Sequence, residues 1–174
     1  METLRYRHDD DRCYGATGMA IGLFFFDGED FLEEINVDAD SHEVVTLSNS
    51  FYFSGSPSVS AKTSWNKLLN SFNLMTAMVI SNALCRSLVL DGMPVRFEIK
   101  QSLHDVIAEE ATQTCSLDFD ELERLFEKNY NTLHRVFNHQ SVQSIARELA
   151  THLKHSRRLS RGEVLEILQA LSTL

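Results

Sequence analysis

A long apolar stretch from Leu68 to Leu90 is the feature that most limits what this chain can fold into. It is long enough to span a bilayer, but polar residues are distributed through it. Arg86 alone would cost about 2.5–3.5 kcal/mol near a bilayer centre. A helix that is apolar on nearly all sides is typical of the buried centre of a folded protein. We therefore predict no membrane span and one central helix over Ser64–Leu90, ended by Gly92 in a left-handed C-cap and by Pro94.

The N-terminal third carries the signals of β-strands. An apolar segment over Thr17–Phe26 ends in three phenylalanines, and the Asp27-Gly28 pair behind it favours a type I′ hairpin turn. Two further candidate strands follow at Asp30–Val37 and Val44–Phe53, with a polar turn between them. These segments predict an antiparallel meander, which a serine-rich loop separates from the rest of the chain.

Helix signals dominate the remaining residues. Asp118 with Glu121, and Ser160 with Glu163, have the spacing of a capping box ahead of apolar residues at helical intervals. Residues 95–101 fit either a fourth strand or the start of a helix. The sequence predicts one α+β domain over residues 1–174, with an N-terminal arm at 1–14, an antiparallel β-meander of three to four strands at 15–55, and a mainly helical part of four to five helices at 60–174.

Charge and cysteine content limit the partners and the compartment. The formal net charge is −9, and a protein of that charge is repelled by nucleic acid and anionic lipid at long range. Residues 1–60 carry 12 acidic and 3 basic side chains, whereas residues 130–174 carry 3 acidic and 6 basic ones. The three cysteines are far apart, and no apolar signal segment follows Met1. We therefore expect a reducing, cytoplasmic location.

No stretch reaches the specificity of a catalytic, cofactor or metal motif. The spacing Gly15-x-x-Gly18-x-x-x-Gly22 is neither a dinucleotide fingerprint nor a P-loop, and it favours a bend where the first strand crosses another element. Cys13 follows an acidic run, which opposes a reactive thiolate. Four of the seven histidines lie within residues 134–155, but neither a cysteine nor a Glu-His pair accompanies them. The sequence predicts no cofactor and no metal, and it argues against an enzyme.

The sharpest local feature is a basic elbow between two predicted helices, defined here as residues 154–161. Its candidate binding residues are Lys154, His155, Arg157, Arg158 and Arg161. The helix that follows carries two glutamates and no basic residue, and those carboxylates would face phosphates in a helix-turn-helix complex. A solvated turn between two helices, or a docking patch for an acidic protein surface, fits the basic elbow better than a nucleic-acid site.

Three functional hypotheses follow. The leading one is a protein-interaction or structural module that self-associates, because an acidic first third and a basic elbow can steer contacts between copies or with a protein partner. The second is a small-ligand binder or enzyme whose site is assembled from distant residues, with His42, Asp91, His104 and Asp105 as candidates. The third is weak nucleic-acid binding through the basic elbow.

Overall fold

The structure, a computed structural model, describes residues 5–41, 43–52, 60–115 and 117–173. Within these ranges, six α-helices and one antiparallel sheet of three strands form the α+β fold that the sequence predicts. The helices are α1 (Asp9–Phe25), α2 (Ala61–Leu84), α3 (Phe97–Thr114), α4 (Phe119–Asn138), α5 (Gln140–Ser156) and α6 (Arg161–Leu168). The strands are β1 (Leu32–Asn36), β2 (Val45–Leu47) and β3 (Arg158–Ser160).

The predicted central helix is present as α2 together with a π-helical segment, Cys85–Leu90, that continues it. Ser60 caps α2 by accepting a hydrogen bond from the Thr63 N–H. Gly92 has a φ of 61°, so the predicted left-handed residue after the helix is confirmed. Among the described residues, Lys62–Leu90 is the one helix long and apolar enough to cross a membrane, and 67% of its apolar window is buried inside the fold. α2 packs against both α1 and α4, which is the position of a core helix in a folded protein.

Residues 9–25 form α1, so the predicted arm through residue 14 and the predicted first strand over Thr17–Phe26 are wrong. The His8 side chain caps α1 by accepting a hydrogen bond from the Asp11 N–H at 3.1 Å. The three aspartates of the first turn add a favourable interaction with the positive end of the helix dipole. The run of acidic residues that marked a solvated arm is therefore a helix start.

The glycines of α1 serve close helix packing rather than a bend in a strand. A Cβ at Gly18 would lie 2.3 Å from the Ser81 carbonyl oxygen, and one at Gly22 would lie 2.4 Å from the Ser81 hydroxyl oxygen. Their absence of side chains lets α1 approach the backbone of α2. This tertiary contact outweighs the poor helix propensity of glycine. No local sequence pattern reveals such a contact.

Asp27-Gly28 ends α1 instead of turning a hairpin. Asp27 has a φ of 54°, and the Gly28 N–H donates to the Leu23 carbonyl at 2.8 Å. The Asp27 N–H donates to the Phe24 carbonyl at 3.3 Å, which completes the bond pair of a Schellman motif. The hairpin prediction fails here because a left-handed residue serves a helix stop as well as a type I′ turn.

The sheet takes two strands from the N-terminal third and its third strand from the basic elbow, in the order β2-β1-β3. In this register Ile35 of β1 lies between Val45 of β2 and Leu159 of β3. The predicted meander at residues 15–55 is thus corrected to one hairpin plus a distant strand. β3 has only three residues, so its conformation depends on the partner strand rather than on its own sequence.

The hairpin departs from regular alternation at one point. The pairing of β1 with β2 shifts around Glu33, whose side chain is exposed, while Leu32 and Ile35 remain buried. Such a bulge places an extra residue in one strand and lets an acidic side chain avoid the core. β2 ends at Leu47, and residues 53–59, which contain the predicted serine-rich loop, lie outside the described residues.

The C-terminal helices follow the sequence closely. Both predicted capping boxes are present, at Asp118 with Glu121 and at Ser160 with Glu163. α3 begins inside the ambiguous residues 95–101, so residues 97–101 are helical and do not form a fourth strand. In the part of the chain that the structure describes there are six helices instead of four to five, because α1 replaces a strand.

Candidate functional site

The first turn of α1 places one carboxylate inside the protein. Asp11 is 0% exposed, and its two oxygens accept hydrogen bonds from Nε and Nη2 of Arg86 at 2.8 and 2.7 Å. Two parallel bonds of this kind are the strongest geometry between a guanidinium and a carboxylate. Arg86 comes from the π-helical segment, and such segments recur at functional sites.

The residues just before α1 cover this ion pair. The backbone N–H and the Nη2 of Arg7 each donate to Asp11 at 2.8 Å. Arg86 also donates to the Arg5 carbonyl at 2.7 Å, and its guanidinium carbon lies 5.1 Å from the centre of the Tyr6 ring. The pair therefore holds the N-terminal segment onto the end of α2.

These contacts fix the ionisation of the group. Burial works to raise the pKa of Asp11, but hydrogen bonds from Arg86 and Arg7 outweigh it and hold that pKa well below its usual range. The hydrogen bond to Asp11 raises the pKa of Arg7 in turn. Asp11 is therefore ionised at neutral pH between two guanidinium groups.

A cavity of about 450 Å³ opens beside the pair, where α3 begins next to the π-helical segment. Its charged lining residues are Arg7, Arg86, Asp91 and Arg96, and we call it the arginine pocket. Its volume lies within the range of pockets that hold small ligands. Three guanidinium groups and one carboxylate give the lining an excess of positive charge in a protein of net charge −9.

The arginines of this pocket differ in their free hydrogen-bonding capacity. Arg86 is committed to Asp11 and to the N-terminal backbone. Arg7 uses Nη2 for its side-chain bonds to Asp11 and to Asp91, the latter at 2.9 Å, so its Nε and Nη1 have no partner among the described residues. The Arg96 side chain is exposed and likewise unpaired there. Arg7 and Arg96 can therefore donate to an anion, which would compete with Asp91.

The N-terminal end of α3 forms part of the same wall. Arg96 is the N-cap residue, and no side chain among the described residues caps this helix end. The first N–H groups of a helix have no partner within the helix, and the helix dipole favours an anion there. Because Arg96 and Ile99 both line the cavity, this helix end borders it.

The basic elbow lies outside the arginine pocket, and its cations pair with acidic residues of the same chain. Lys154 lies 2.6 Å from Asp10. Arg157 contacts Asp9 at 2.7 Å and Asp38 at 2.6 Å. These contacts raise the pKa of Arg157 and lower those of the two aspartates, with the Asp9 bond the largest influence on Arg157.

The remaining elbow residues extend this seam along β3. Arg158 donates to Glu34 at 2.8 Å, and Arg161 pairs with Asp30. His155 is exposed and has no hydrogen-bond or ion-pair partner within the described ranges. The acidic first third and the basic elbow, which the sequence suggests as opposite docking ends, thus meet inside one chain. We call these contacts the elbow ion pairs.

Of the four candidates for an assembled site, one lies at the pocket. Asp91 lines it and accepts from Arg7. His104 does not line it, and instead bonds to Glu123 at 2.8 Å with Asp105 3.8 Å away. His42 lies outside the described residues. No three histidine, cysteine, aspartate or glutamate side chains that the structure describes are grouped to hold a metal ion.

Sequence reasoning missed the arginine pocket because its members are far apart in the chain. The one local signal is Arg86, since an arginine in an apolar helix needs a buried anion in protein as in lipid. Comparisons with family models, curated proteins and solved structures found no match to this chain. The function is therefore argued from the chemistry of the pocket.

Proposed function

We propose that this protein binds a small anionic ligand in the arginine pocket. The observation that carries the proposal is the unpaired guanidinium of Arg96, which lines a cavity of about 450 Å³ together with Arg7 and Arg86. Clefts lined by charge of one sign concentrate ligands of the opposite sign. Arginine forks match the geometry of carboxylate and phosphate groups.

The charged residues have separate roles in this proposal. Arg7 and Arg96 donate hydrogen bonds to the ligand. Arg86 is a positioning residue, because its bonds to Asp11 hold the wall in place and it contributes its positive field. Asp91 occupies part of Arg7 in the absence of ligand and acts as an internal competitor.

The test is a titration with inorganic phosphate and with acetate, followed by NMR of the arginine Nε–Hε signals at low ionic strength. We expect the signals of Arg7 and Arg96 to shift in a saturable manner. Arg96→Gln should weaken binding about tenfold, the usual loss for one charge-assisted hydrogen bond. The matched control is Arg158→Gln, an exposed arginine outside the pocket, which should leave the affinity unchanged. Equal affinities for all three proteins would disprove the proposal.

Asp91→Asn provides the opposite change. Removing the internal carboxylate frees Arg7 and deletes a negative charge from the lining, so the anion should bind more tightly, by up to about tenfold. A weaker or unaltered affinity would contradict the assigned role of Asp91.

Self-association is a second candidate function, and a different surface favours it. An open groove of about 580 Å³ runs between the N-terminal halves of α2 and α4, and Arg124 and Lys128 line it. Trp65 is 44% exposed one turn before Leu69 of the groove, and Phe119 is 71% exposed at the start of α4. Exposed aromatic side chains beside arginine are typical of protein interfaces.

The occupant we propose for this groove is the part of a second copy that carries Glu33 and Asp40, which are exposed and have no ion-pair partner among the described residues. Mass by light scattering at low and high salt tests it. We expect a dimer or larger species that dissociates in salt, and that Lys128→Glu converts to a monomer. A monomer under both conditions would reject self-association and leave anion binding as the function.

A further inference from the structure

We infer that the ligand of the arginine pocket is an amphipathic anion, with a single anionic group attached to an apolar body. This inference rests on the proposed anion binding and specifies the class of ligand. It follows from three properties of the pocket: its apolar lining, its charge count and its volume.

Apolar side chains form much of the wall between the arginines. They are Ala83, Met93, Pro94 and Ile99. Met93 is 61% exposed although it lines a cavity, and Phe97, which directly follows Arg96, is 73% exposed. A large apolar side chain gains free energy when a ligand removes it from water. An exposed methionine in the lining of an anion site, with Phe97 next to Arg96 in the chain, favours a ligand with an apolar part over an inorganic ion.

The charges around the pocket leave room for one negative group. Arg7, Arg86 and Arg96 are opposed by the carboxylates of Asp91, in the lining, and Asp11, directly behind Arg86. Among the described residues at the pocket, the positive charges therefore exceed the negative ones by one. A ligand with several negative charges would carry an unpaired charge into the site, which is costly in a partly desolvated cavity.

The volume of the arginine pocket also favours an amphipathic ligand. A water molecule takes about 30 Å³ of liquid volume, and a carboxylate or phosphate group alone is only a few times larger. A cavity of about 450 Å³ therefore has space beyond the anionic group. The apolar wall residues make an aliphatic or aromatic body the suitable occupant of that space.

Such a ligand could be a free amphiphile or the headgroup and upper chain of a membrane lipid. The shared chemistry is one anionic group next to hydrocarbon. The protein's net charge of −9 opposes approach to an anionic bilayer at long range. A free amphiphile is therefore the source that we expect, and the experiment separates the two.

The experiment compares octanoate, acetate and 1-octanol as monomeric probes by the same NMR titration, and adds sedimentation with phosphatidylcholine vesicles containing phosphatidylglycerol. We expect octanoate to bind at least tenfold more tightly than acetate and than 1-octanol. Met93→Ser should weaken octanoate binding about three- to tenfold, as expected for lost apolar burial, and weaken acetate binding much less. Tyr52→Ser is the matched control, because Tyr52 is also 61% exposed but does not line the pocket.

Each result has one meaning. Equal affinities for octanoate and acetate would overturn the amphipathic ligand while the proposed anion binding stands. Equal affinities for octanoate and 1-octanol, or no response of Arg7 and Arg96 to any anion, would overturn both. Vesicle sedimentation that Met93→Ser abolishes, together with binding of free octanoate, would support the same chemistry with a membrane lipid as its source.

Discussion

Three consecutive aspartates at the start of α1 enter two very different ion-pair environments. Asp9 and Asp10 have side chains that are 48% and 42% exposed, and they pair with the basic elbow. The Asp11 side chain is 0% exposed and pairs with Arg86 beside the arginine pocket. All three join α1 to a distant part of the chain with similar distances, so geometry alone does not separate them.

The difference between these environments is solvation. Exposed ion pairs compete with water and are screened by salt, and they contribute little to stability. A buried pair has lost its hydration, so removal of one partner leaves a buried charge without its counterion. The comparison teaches that the buried pair holds the fold around the pocket, whereas the elbow ion pairs mainly orient a surface seam.

The largest effect should come from Asp11→Ala. The variant leaves Arg86 buried without its carboxylate, and such a change costs about 3–5 kcal/mol. Urea unfolding at pH 7 measures it. The matched control is Asp9→Ala, the same residue type two positions earlier, which should lose far less. Similar losses for the two variants would show that burial does not distinguish these aspartates.

A smaller change in stability should appear when the pH is lowered. Because the pKa of Asp11 is lowered by folding, its contribution to stability is complete above the pKa of the unfolded chain, about 3.9. The contribution is lost as the pH falls from there toward the lower pKa of the folded state. We expect the melting temperature of the wild type to fall steeply below about pH 4, and Asp11→Asn to remove much of that slope.

The pKa values of Asp9 and Asp38 are lowered as well, mainly by Arg157. A second variant therefore measures how much these two aspartates contribute to the loss of stability in acid. Arg157→Gln should remove less of the acid slope than Asp11→Asn does. The reverse order would place the acid-sensitive contacts in the elbow ion pairs instead of the buried pair.

The elements that the sequence predicts correctly are those whose signals are local. α2, α4 and α6 have caps and apolar spacing within their own residues. α1 and β3 depend on partners elsewhere in the chain. The glycines of α1 become helical because α2 lies against them, and β3 becomes a strand because β1 offers its edge. Both depend on tertiary contacts that a reading of neighbouring residues does not contain.

The same distinction applies to the candidate sites. The basic elbow is contiguous and therefore conspicuous, yet four of its five candidate residues have intramolecular partners. The arginine pocket takes Arg7, Arg86 and Arg96 from three separate segments. A cluster along the sequence shows where charge is dense, but only the fold shows that the Arg96 side chain is without a partner among the described residues.

The smallest change in stability should come from Arg157→Gln at neutral pH. Its dependence on salt separates an exposed ion pair from a buried one. This variant breaks the contacts with Asp9 and Asp38 but leaves every group exposed. We expect a loss of stability less than about a third of that for Asp11→Ala. The loss should vanish in 1 M NaCl, where the screening length is about 3 Å, while the loss in Asp11→Ala persists.

The matched control is Arg135→Gln, an exposed arginine that bonds only a backbone carbonyl of its own helix among the described residues. If the loss of stability in Arg157→Gln is large and persists in salt, the elbow ion pairs stabilise the fold as a buried ion pair does. The distinction between the two regions would then be wrong.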